Sequence, residues 1–162
     1  MRIAPSADWH KYLLLNLSVV VFGTTANAAD ASHGEYLTNA GGCVACHTAE
    51  DGQPMAGGRS LESPFGTFYT PNITPDNETG IGGWTDDEFV SAFQEGLSPE
   101  GEHYYPAFPY PSYSGMSRSD LLDIKAYLNS LQPVTAANRE HDLVWYASSR
   151  MPLVLWKWLY FD

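Results

Sequence analysis

One short motif constrains the fold of this chain more than any other feature, the five residues Cys43-Val44-Ala45-Cys46-His47. Its two thiols lie three positions apart, on one turn of backbone, and an imidazole directly follows the second thiol. Two thiols at this spacing can each add to a vinyl group of a haem, while the adjacent histidine reaches the iron as its proximal axial ligand. The motif therefore predicts one covalently attached haem c, held by Cys43, Cys46 and His47.

Three other interpretations of the motif are a redox-active disulfide, half of a zinc site, and chance. A zinc site takes about four protein ligands, usually from a second Cys or His pair at similar spacing, whereas this chain has only 2 cysteines. A thioredoxin-like disulfide follows a strand and opens a helix, but here Ser32 to Ala40 is predicted as a helix that Gly41 and Gly42 break. The residues around the motif thus favour haem attachment.

Residues 1–28 have the three parts of a secretory signal peptide. Arg2 and Lys11 supply the basic start, an apolar stretch from Tyr12 to Gly23 follows, and Ala26-Asn27-Ala28 gives small residues at the cleavage positions. The apolar stretch is shorter than the roughly 20 residues that span a bilayer, so we expect cleavage after this segment, with an uncleaved anchor as the alternative. Because haem is attached to such motifs outside the cytoplasm, the sequence predicts an exported, periplasmic protein.

Acidic side chains outnumber basic ones, with 19 Asp and Glu against 8 Lys and Arg and a formal net charge of −11. Phosphate backbones are bound by clusters of Lys and Arg, and the sequence has no such cluster, so nucleic acid is excluded as a partner. An acidic exported redox protein instead suggests a partner with a basic docking surface, whose association slows as salt is added. The alternative is that the acidity only keeps the protein soluble.

Beyond the motif, the sequence predicts short helices joined by long, ordered loops. The first helix is expected over Ala31–Ala40, where Gly34 leaves room for another helix to approach closely. From Ala49 to Gly83 the residues Gly, Pro, Ser, Thr and Asn dominate, which is typical of a loop. A loop of this length is explained if it wraps a cofactor.

Two further helices and a stiff segment between them complete the prediction. Thr85 and Glu88 have the spacing of a capping box, which predicts a helix from Asp86 onwards. Ser117 to Leu131 carries a regular apolar face and is predicted as the last clear helix. In residues 104–113, three prolines alternate with aromatic rings and are expected to exclude a helix. This aromatic strip could wall a flat apolar ligand, and a rigid surface loop is the alternative.

The sixth iron ligand is expected on a loop across the haem from His47. Met116 follows the aromatic strip and is favoured by its position, with His103 at the start of that strip as the main rival and an open sixth position as a further alternative. Met55 lies only eight residues after His47, which keeps it on the proximal side, and Met151 lies in an apolar stretch where a methionine usually serves packing. The other candidates by residue type are His33 and His141.

Several stretches between Gly34 and Pro133 form a specific pattern together with the motif. They are Gly34-Glu35-Tyr36-Leu37, Cys46-His47-Thr48, Pro64-Phe65-Gly66-Thr67, Asn72-Ile73-Thr74-Pro75-Asp76, Thr79-Gly80-Ile81-Gly82-Gly83-Trp84, Tyr105-Pro106-Ala107 and Pro109-Tyr110-Pro111-Ser112-Tyr113. In them the chain resembles the class I cytochromes c. More narrowly, it resembles the first haem domain of the cytochrome subunits that accompany bacterial membrane-linked alcohol, gluconate, sorbitol and aldehyde dehydrogenases.

The resemblance implies an all-α fold of the class I cytochrome c type, with short helices and long loops around one covalently bound haem. In such a fold the first and last helices cross, and His47 and Met116 ligate the iron from opposite faces. The resemblance also implies electron transfer rather than catalysis, from a dehydrogenase partner towards quinone, another cytochrome or a terminal oxidase. Trp84 and Asn72 are expected to hydrogen-bond the propionate edge of the haem, with ordinary loop packing as their alternative role.

Two other functions stay open at this point. A haem peroxidase needs an open sixth position and a distal acid or base, and a haem-based sensor or scaffold needs a sixth ligand that is absent or exchangeable. Rapid binding of cyanide or carbon monoxide would favour the peroxidase, whereas the haem of a sensor or scaffold would not exchange electrons with any dehydrogenase.

The chain departs from the resembling subunits in carrying a single Cys-x-x-Cys-His motif, because those subunits usually have three haem domains. We expect a cytochrome domain over residues 29–133 and a C-terminal extension over residues 134–162 that resembles the linker to a second domain. The chain is then either a single-haem relative or a truncated reading frame. The extension ends in an apolar, aromatic stretch from Leu153 to Phe161. Packing on the cytochrome domain is its expected role, with partner docking and peripheral membrane contact as alternatives.

Overall fold

The computed structural model describes residues 28–161, and within them the chain forms six helices and three short strands. The predicted signal peptide lies outside the described residues except for Ala28. In chain order the helices are α1 (Ala31–Ala40), α2 (Cys43–Cys46), α3 (Asp86–Gln94), α4 (Tyr110–Tyr113), α5 (Arg118–Ser130) and α6 (Met151–Tyr160). The strands are β1 (Ser60–Ser63), β2 (Gly66–Tyr69) and β3 (Asp142–Leu143).

Helices α1 and α5 cross at close range because Gly34, in α1, has no side chain. A Cβ atom at Gly34 would lie 1.8 Å from the carbonyl oxygen of Asp123 in α5. The start of α1 is fastened to the same residue, since the Asp123 carboxylate accepts a hydrogen bond from the Asp30 backbone N–H (2.6 Å) and pairs with Nδ1 of His33 (2.8 Å). The close helix approach predicted at Gly34 is thus confirmed.

Helix α3 begins with the predicted capping box. The Thr85 hydroxyl accepts a hydrogen bond from the Glu88 N–H (3.2 Å), and the Glu88 carboxylate accepts one from the Thr85 N–H (2.7 Å). These bonds satisfy backbone donors that have no partner inside the helix. Helix α3 is also tied to α5, where the Lys125 ammonium donates to the Asp86 carboxylate (2.6 Å).

The hydrophobic core lies between α3, α5 and the loop that follows α2. Its buried members are Met55, Ile81, Phe89, Val90, Leu121, Ile124 and Leu128. Met55 and Ile81 belong to the long loop between α2 and α3, so this loop is anchored in the core rather than free in solvent.

A small antiparallel sheet in the order β1-β2-β3 departs from the predicted all-α fold. Strands β1 and β2 form a hairpin inside the predicted loop, and β2 pairs with β3 from the C-terminal extension. Gly66, at the start of β2, has a φ of 115°, and a Cβ atom there would lie 2.2 Å from the Asp142 carbonyl oxygen of β3. The prediction missed the sheet because its strands are at most four residues long and β3 pairs far along the chain.

The prediction that prolines exclude a helix from residues 104–113 is wrong for its last residues. Tyr110–Tyr113 forms the single turn α4, and Pro111 is the second residue of this turn. The missing N–H of proline costs nothing at the start of a helix, because those donors have no intrahelical acceptor. Proline breaks helix interiors, and α4 is too short to have one.

The C-terminal extension folds back on the rest of the chain. Lys157, the buried residue of α6, donates hydrogen bonds to the carbonyls of Glu95 and Gly96 at the end of α3. The ring of Phe161 packs edge-on against buried Tyr110, with 5.3 Å between centroids. Through these contacts the extension packs on the cytochrome domain, as expected from the sequence. Other apolar side chains of the extension stay exposed, among them Trp158, which is 80% exposed.

Of the helices within residues 28–161, none combines the length and the apolar character that a membrane crossing needs.

Candidate functional site

A cavity of about 310 Å³ brings the Cys-x-x-Cys-His motif together with a largely apolar wall. This volume falls in the range of about 300–1,000 Å³ that is typical of ligand and cofactor sites. Cys43, Cys46 and His47 all line the cavity, as do residues of the β1-β2 hairpin, α3, the aromatic strip, α5 and the C-terminal extension. Among the apolar lining residues are Phe68, Ile73, Ile81, Phe89, Phe93 and Phe108.

The two thiols reach the cavity through a sharp turn after α1. Gly42, at the N-cap of α2, has a φ of 69°, a backbone conformation that favours glycine, and Cys43–Cys46 then form one helical turn. Both thiols are free. Burial raises the pKa of the Cys43 thiol, which keeps it protonated near neutral pH. The structure thus presents both thiols of the motif at one cavity wall.

The His47 imidazole is oriented by a backbone carbonyl. Its Nδ1 lies 2.8 Å from the Pro71 carbonyl oxygen, and since a carbonyl can only accept, Nδ1 must carry the proton. The lone pair is therefore on Nε2. Burial lowers the pKa of His47, which favours the neutral ring. A neutral histidine whose second nitrogen donates to a backbone carbonyl is the usual arrangement of a metal-ligating histidine.

The aromatic strip supplies a wall of the cavity, as the sequence suggested. The Phe93 ring of α3 contacts the rings of Phe108 and Tyr113, with centroids 5.2 and 5.7 Å apart. The Tyr113 hydroxyl donates to the Gly41 carbonyl (3.0 Å) and so ties the strip to the turn that precedes the thiols. Interlocked rings of this kind exclude water and leave an apolar surface for a flat ligand.

Met116 lies beside the cavity rather than in its lining. It is half-buried against the hydrophobic core, and its backbone is held at both ends. Its N–H donates to the Tyr113 carbonyl (2.9 Å), and its carbonyl accepts from the Gln94 side chain (2.8 Å). Tyr113 itself lines the cavity, so Met116 lies three residues along the chain from a cavity residue.

The two residues predicted to bind the haem propionates, Trp84 and Asn72, lie in different settings. Trp84 lines the cavity, whereas Asn72 is buried in the loop beside it. The Asn72 amide donates to the Thr79 hydroxyl (3.0 Å) and the Val134 carbonyl (2.7 Å), and its Oδ1 accepts from Thr74. Loop packing, the alternative role for Asn72, accounts for these bonds.

The remaining candidates for an axial ligand lie in varied settings. His33 is exposed and paired with Asp123, Met151 is 74% exposed on α6, and Met55 is a core residue. In the described part of the chain, Nδ1 of His103 is buried with no hydrogen-bond partner, and His103 does not line the cavity. His141 does line it, but its Nδ1 accepts from the Tyr69 N–H (3.2 Å), which places the proton on Nε2.

Two cavity residues of the C-terminal extension, Arg139 and Arg150, were not recognised as site residues from the sequence, and His141 had been considered only as an iron ligand. They have no local signal, because the elements they meet lie much earlier in the chain. An acidic composition could have drawn attention to them, since each basic residue is then unusual.

The residues present fit a covalently held haem: two free thiols on one turn, a neutral imidazole with a free lone pair on Nε2, and an aromatic cavity. These features define a haem protein of the c type. Residues 31–132 match the family described as Cytochrome c, and the chain belongs to the cytochrome c family. Membership implies a covalently bound haem c.

Similar proteins include cytochrome subunits of several dehydrogenases. The chain is 46% identical over 133 residues to the gluconate 2-dehydrogenase cytochrome c subunit of Pantoea cypripedii, which covers 82% of this chain and 30% of the relative. It is 45% identical over 135 residues to a diheme cytochrome c-type protein of Cereibacter sphaeroides, covering 80% and 46%. It is 40% identical over 155 residues to the cytochrome c subunit of alcohol dehydrogenase (quinone) of Gluconobacter oxydans, covering 92% and 32%. The chain thus spans less than half the length of these relatives.

Proposed function

We propose that this chain is a periplasmic class I cytochrome c with one haem, which carries electrons from a dehydrogenase partner towards quinone, another cytochrome or a terminal oxidase. The observation that carries the proposal is the motif itself in its setting. Both thiols and a correctly protonated His47 lie on the wall of one aromatic cavity. The single Cys-x-x-Cys-His motif supports one haem, although one similar protein is described as diheme.

The protein's own residues hold and shield the cofactor. Bound haem c supplies one-electron chemistry at its iron. Cys43 and Cys46 would form the thioether links, and Nε2 of His47 would bind the iron. The Pro71 carbonyl fixes the imidazole ring and raises its basicity through the bond to Nδ1. The aromatic wall excludes water, which keeps the site suited to electron transfer rather than to oxygen chemistry.

In this proposal Met116 would supply the second iron ligand from the protein. Its backbone is anchored to Tyr113 and Gln94, which sets it at the edge of the cavity wall. A Met/His pair raises the reduction potential relative to other axial pairs. The protein would then accept electrons readily from a dehydrogenase.

The names of the relatives support a dehydrogenase as the electron donor, because two of them are cytochrome c subunits of gluconate and alcohol dehydrogenases. The net charge of −11 supports docking to a basic surface and argues against nucleic acid. We assign residues 1–28 to a signal peptide, 29–133 to the cytochrome domain and 134–162 to the extension. The exposed Trp158, together with Trp145, supports partner docking or peripheral membrane contact by the extension.

The oxidised absorption spectrum of the holoprotein, produced with haem-attachment machinery, tests the axial ligands. We expect one thioether-linked haem per chain by pyridine haemochrome assay and a far-red sulfur-to-iron band. Met116→Leu should abolish the band and leave the covalent haem in place. The matched control is Met151→Leu, which removes a methionine that is 74% exposed and should change nothing.

Survival of the far-red band in Met116→Leu would remove Met116 from the ligand set. Absence of the band in the wild type, together with rapid cyanide or carbon monoxide binding, would favour the peroxidase or sensor alternative. The donor is tested separately by stopped-flow mixing with a gluconate or alcohol dehydrogenase. Haem reduction that slows as salt is added is the expected result, and a haem that exchanges no electrons would contradict the proposed role.

A further inference from the structure

The cavity wall reverses the charge balance of the protein. Acidic residues outnumber basic ones by 19 to 8 in the whole chain. Within residues 28–161, however, no Asp or Glu lines the cavity, while Arg139 and Arg150 both do. A haem brings two propionate carboxylates into its site, and buried or half-buried carboxylates need cationic or hydrogen-bonding partners.

Arg139 is held over an aromatic ring with its charge uncompensated. Its guanidinium carbon lies 3.8 Å from the centroid of the Tyr69 ring, a cation–π contact that fixes the planar group. In the portion of the chain that the structure describes, no carboxylate pairs with Arg139. Its five N–H donors are thus available to an incoming anion.

Arg150 is fixed in a similar way but is partly engaged. Its guanidinium carbon lies 4.9 Å from the Tyr105 ring centroid, and Nη1 donates to the His103 carbonyl (2.5 Å). Nη2 lies 3.4 Å from the carboxylate of Glu102, whose side chain is 60% exposed. A guanidinium has further N–H groups in its fork, so it can bind a second carboxylate while these contacts persist.

His141 connects the two arginine sites. Its ring contacts Phe68 and Tyr105 edge-on, with centroids 5.2 and 5.7 Å apart, and its Nδ1 accepts from the Tyr69 N–H. Arg139 stacks on Tyr69 and Arg150 stacks on Tyr105, and His141 contacts both tyrosines. The three basic side chains therefore share one side of the cavity. Because Nδ1 accepts, Nε2–H is a donor and cannot be an iron ligand in this tautomer.

We propose that Arg139 and Arg150, with His141 between them, bind the two haem propionates, so that the C-terminal extension completes the cofactor site. This inference rests on the proposed function, since it presumes a haem at Cys43 and Cys46. The three residues are positioning residues: they orient the cofactor and set its electrostatic environment. Loss of either arginine should lower the midpoint potential, because a cation near the haem favours the reduced, less positive state.

The test compares Arg139→Gln and Arg150→Gln holoproteins with the wild type by potentiometry from acidic to alkaline pH. Each variant should keep one covalent haem, show a lower midpoint potential, and raise the pKa of a propionate by at least about one unit. Arg59→Gln is the matched control, because it removes an exposed arginine outside the cavity and should leave both quantities unchanged. An unchanged potential and pH profile in both cavity variants would overturn the inference.

A measurement on the wild type keeps the inference testable if the variants do not fold. Propionates paired with arginine stay ionised below the ordinary carboxyl range of about 4. NMR of the propionate methylene groups should therefore show no titration midpoint between about pH 3.5 and pH 8, an interval that includes the ordinary carboxyl pKa. A propionate step inside that interval would overturn the inference. Absence of covalent haem in the wild type would instead contradict the proposed function, so the two failures are distinguishable.

Discussion

Replacing Gly34 by alanine should force α1 away from α5. The new Cβ atom would lie 1.8 Å from the Asp123 carbonyl oxygen and 2.9 Å from the Ile124 nitrogen, whereas real Cβ atoms essentially never approach another heavy atom within 3.0 Å. The atoms it meets are backbone atoms of a helix and cannot rotate aside. The contact is 1.2 Å shorter than the 3.0 Å limit, so the two helices must separate by at least about that distance.

The cost follows from what that separation breaks. The bond from the Asp30 N–H to the Asp123 carboxylate, now 2.6 Å long, would exceed hydrogen-bonding distance. Overpacking of a tight contact costs up to about 3 kcal/mol, and loss of the hydrogen bond adds about 1 kcal/mol. The higher helix propensity of alanine returns about 1 kcal/mol. We expect a net loss of about 1 to 3 kcal/mol in the free energy of unfolding.

Urea unfolding of the holoprotein, followed by far-UV circular dichroism, measures this loss. Gly83→Ala is the matched control, because no atom lies within 4 Å of the Cβ position there and its cost should be within about 0.5 kcal/mol. A loss below about 1 kcal/mol for Gly34→Ala, with an unchanged denaturant slope, would refute the reasoning about the crossing.

Three other perturbations test separate contacts. Thr85→Ala removes the capping box of α3 and should cost about 1 kcal/mol in urea unfolding, whereas Thr85→Ser should keep most of it; equal losses would contradict the capping role. The hydrogen bond to Asp123 raises the pKa of His33 above its ordinary 6.5. The pair therefore stabilises the fold below pH 6.5 and loses that effect as pH rises through the raised pKa. The stability margin of the wild type over His33→Gln should accordingly shrink with rising pH, and a margin that grows would show the sign to be wrong. Lys157→Met leaves carbonyls at the end of α3 without their donor, so hydrogen exchange in α6 should accelerate; unchanged protection would mean that the apolar contacts alone hold this helix.

Elements with a local signal were predictable from the sequence, and elements with distant partners were not. Helix α1 has its predicted bounds, and α3 starts where Thr85 and Glu88 satisfy the backbone within four residues. The β1-β2 hairpin and β3 have no comparable sequence pattern, because their strands are short. The pairing of β3 also depends on Gly66, far upstream, where a side chain would clash with β3. The turn α4 shows the limit of a rule about proline that ignores position within a helix.

In the site, too, residues that are close in the chain were predictable and contacts between distant residues were not. Cys43, Cys46 and His47 are neighbours in the chain, so their spacing alone brings them to one wall. The acceptor for His47 could not be read from the sequence, since the Pro71 carbonyl lies beyond a whole hairpin. Asn72 was recognised as special, but its bond to the Val134 carbonyl depends on how the chain returns after α5. Side-chain chemistry is visible in a sequence, while the partner that uses it is a property of the fold.

Strand β3 lies outside the stretch that matches the cytochrome c family, which ends at residue 132. Its hydrogen bonds to β2 nevertheless hold the path of the chain that leads from Arg139 to Arg150 along the cavity. A chain cut at residue 132 would retain every residue of the attachment motif and lose one side of the enclosure around it. The stretch that matches the cytochrome c family description is therefore smaller than the unit that lines the cavity. Anyone who grafts this domain onto another protein must carry the polypeptide through at least Arg150.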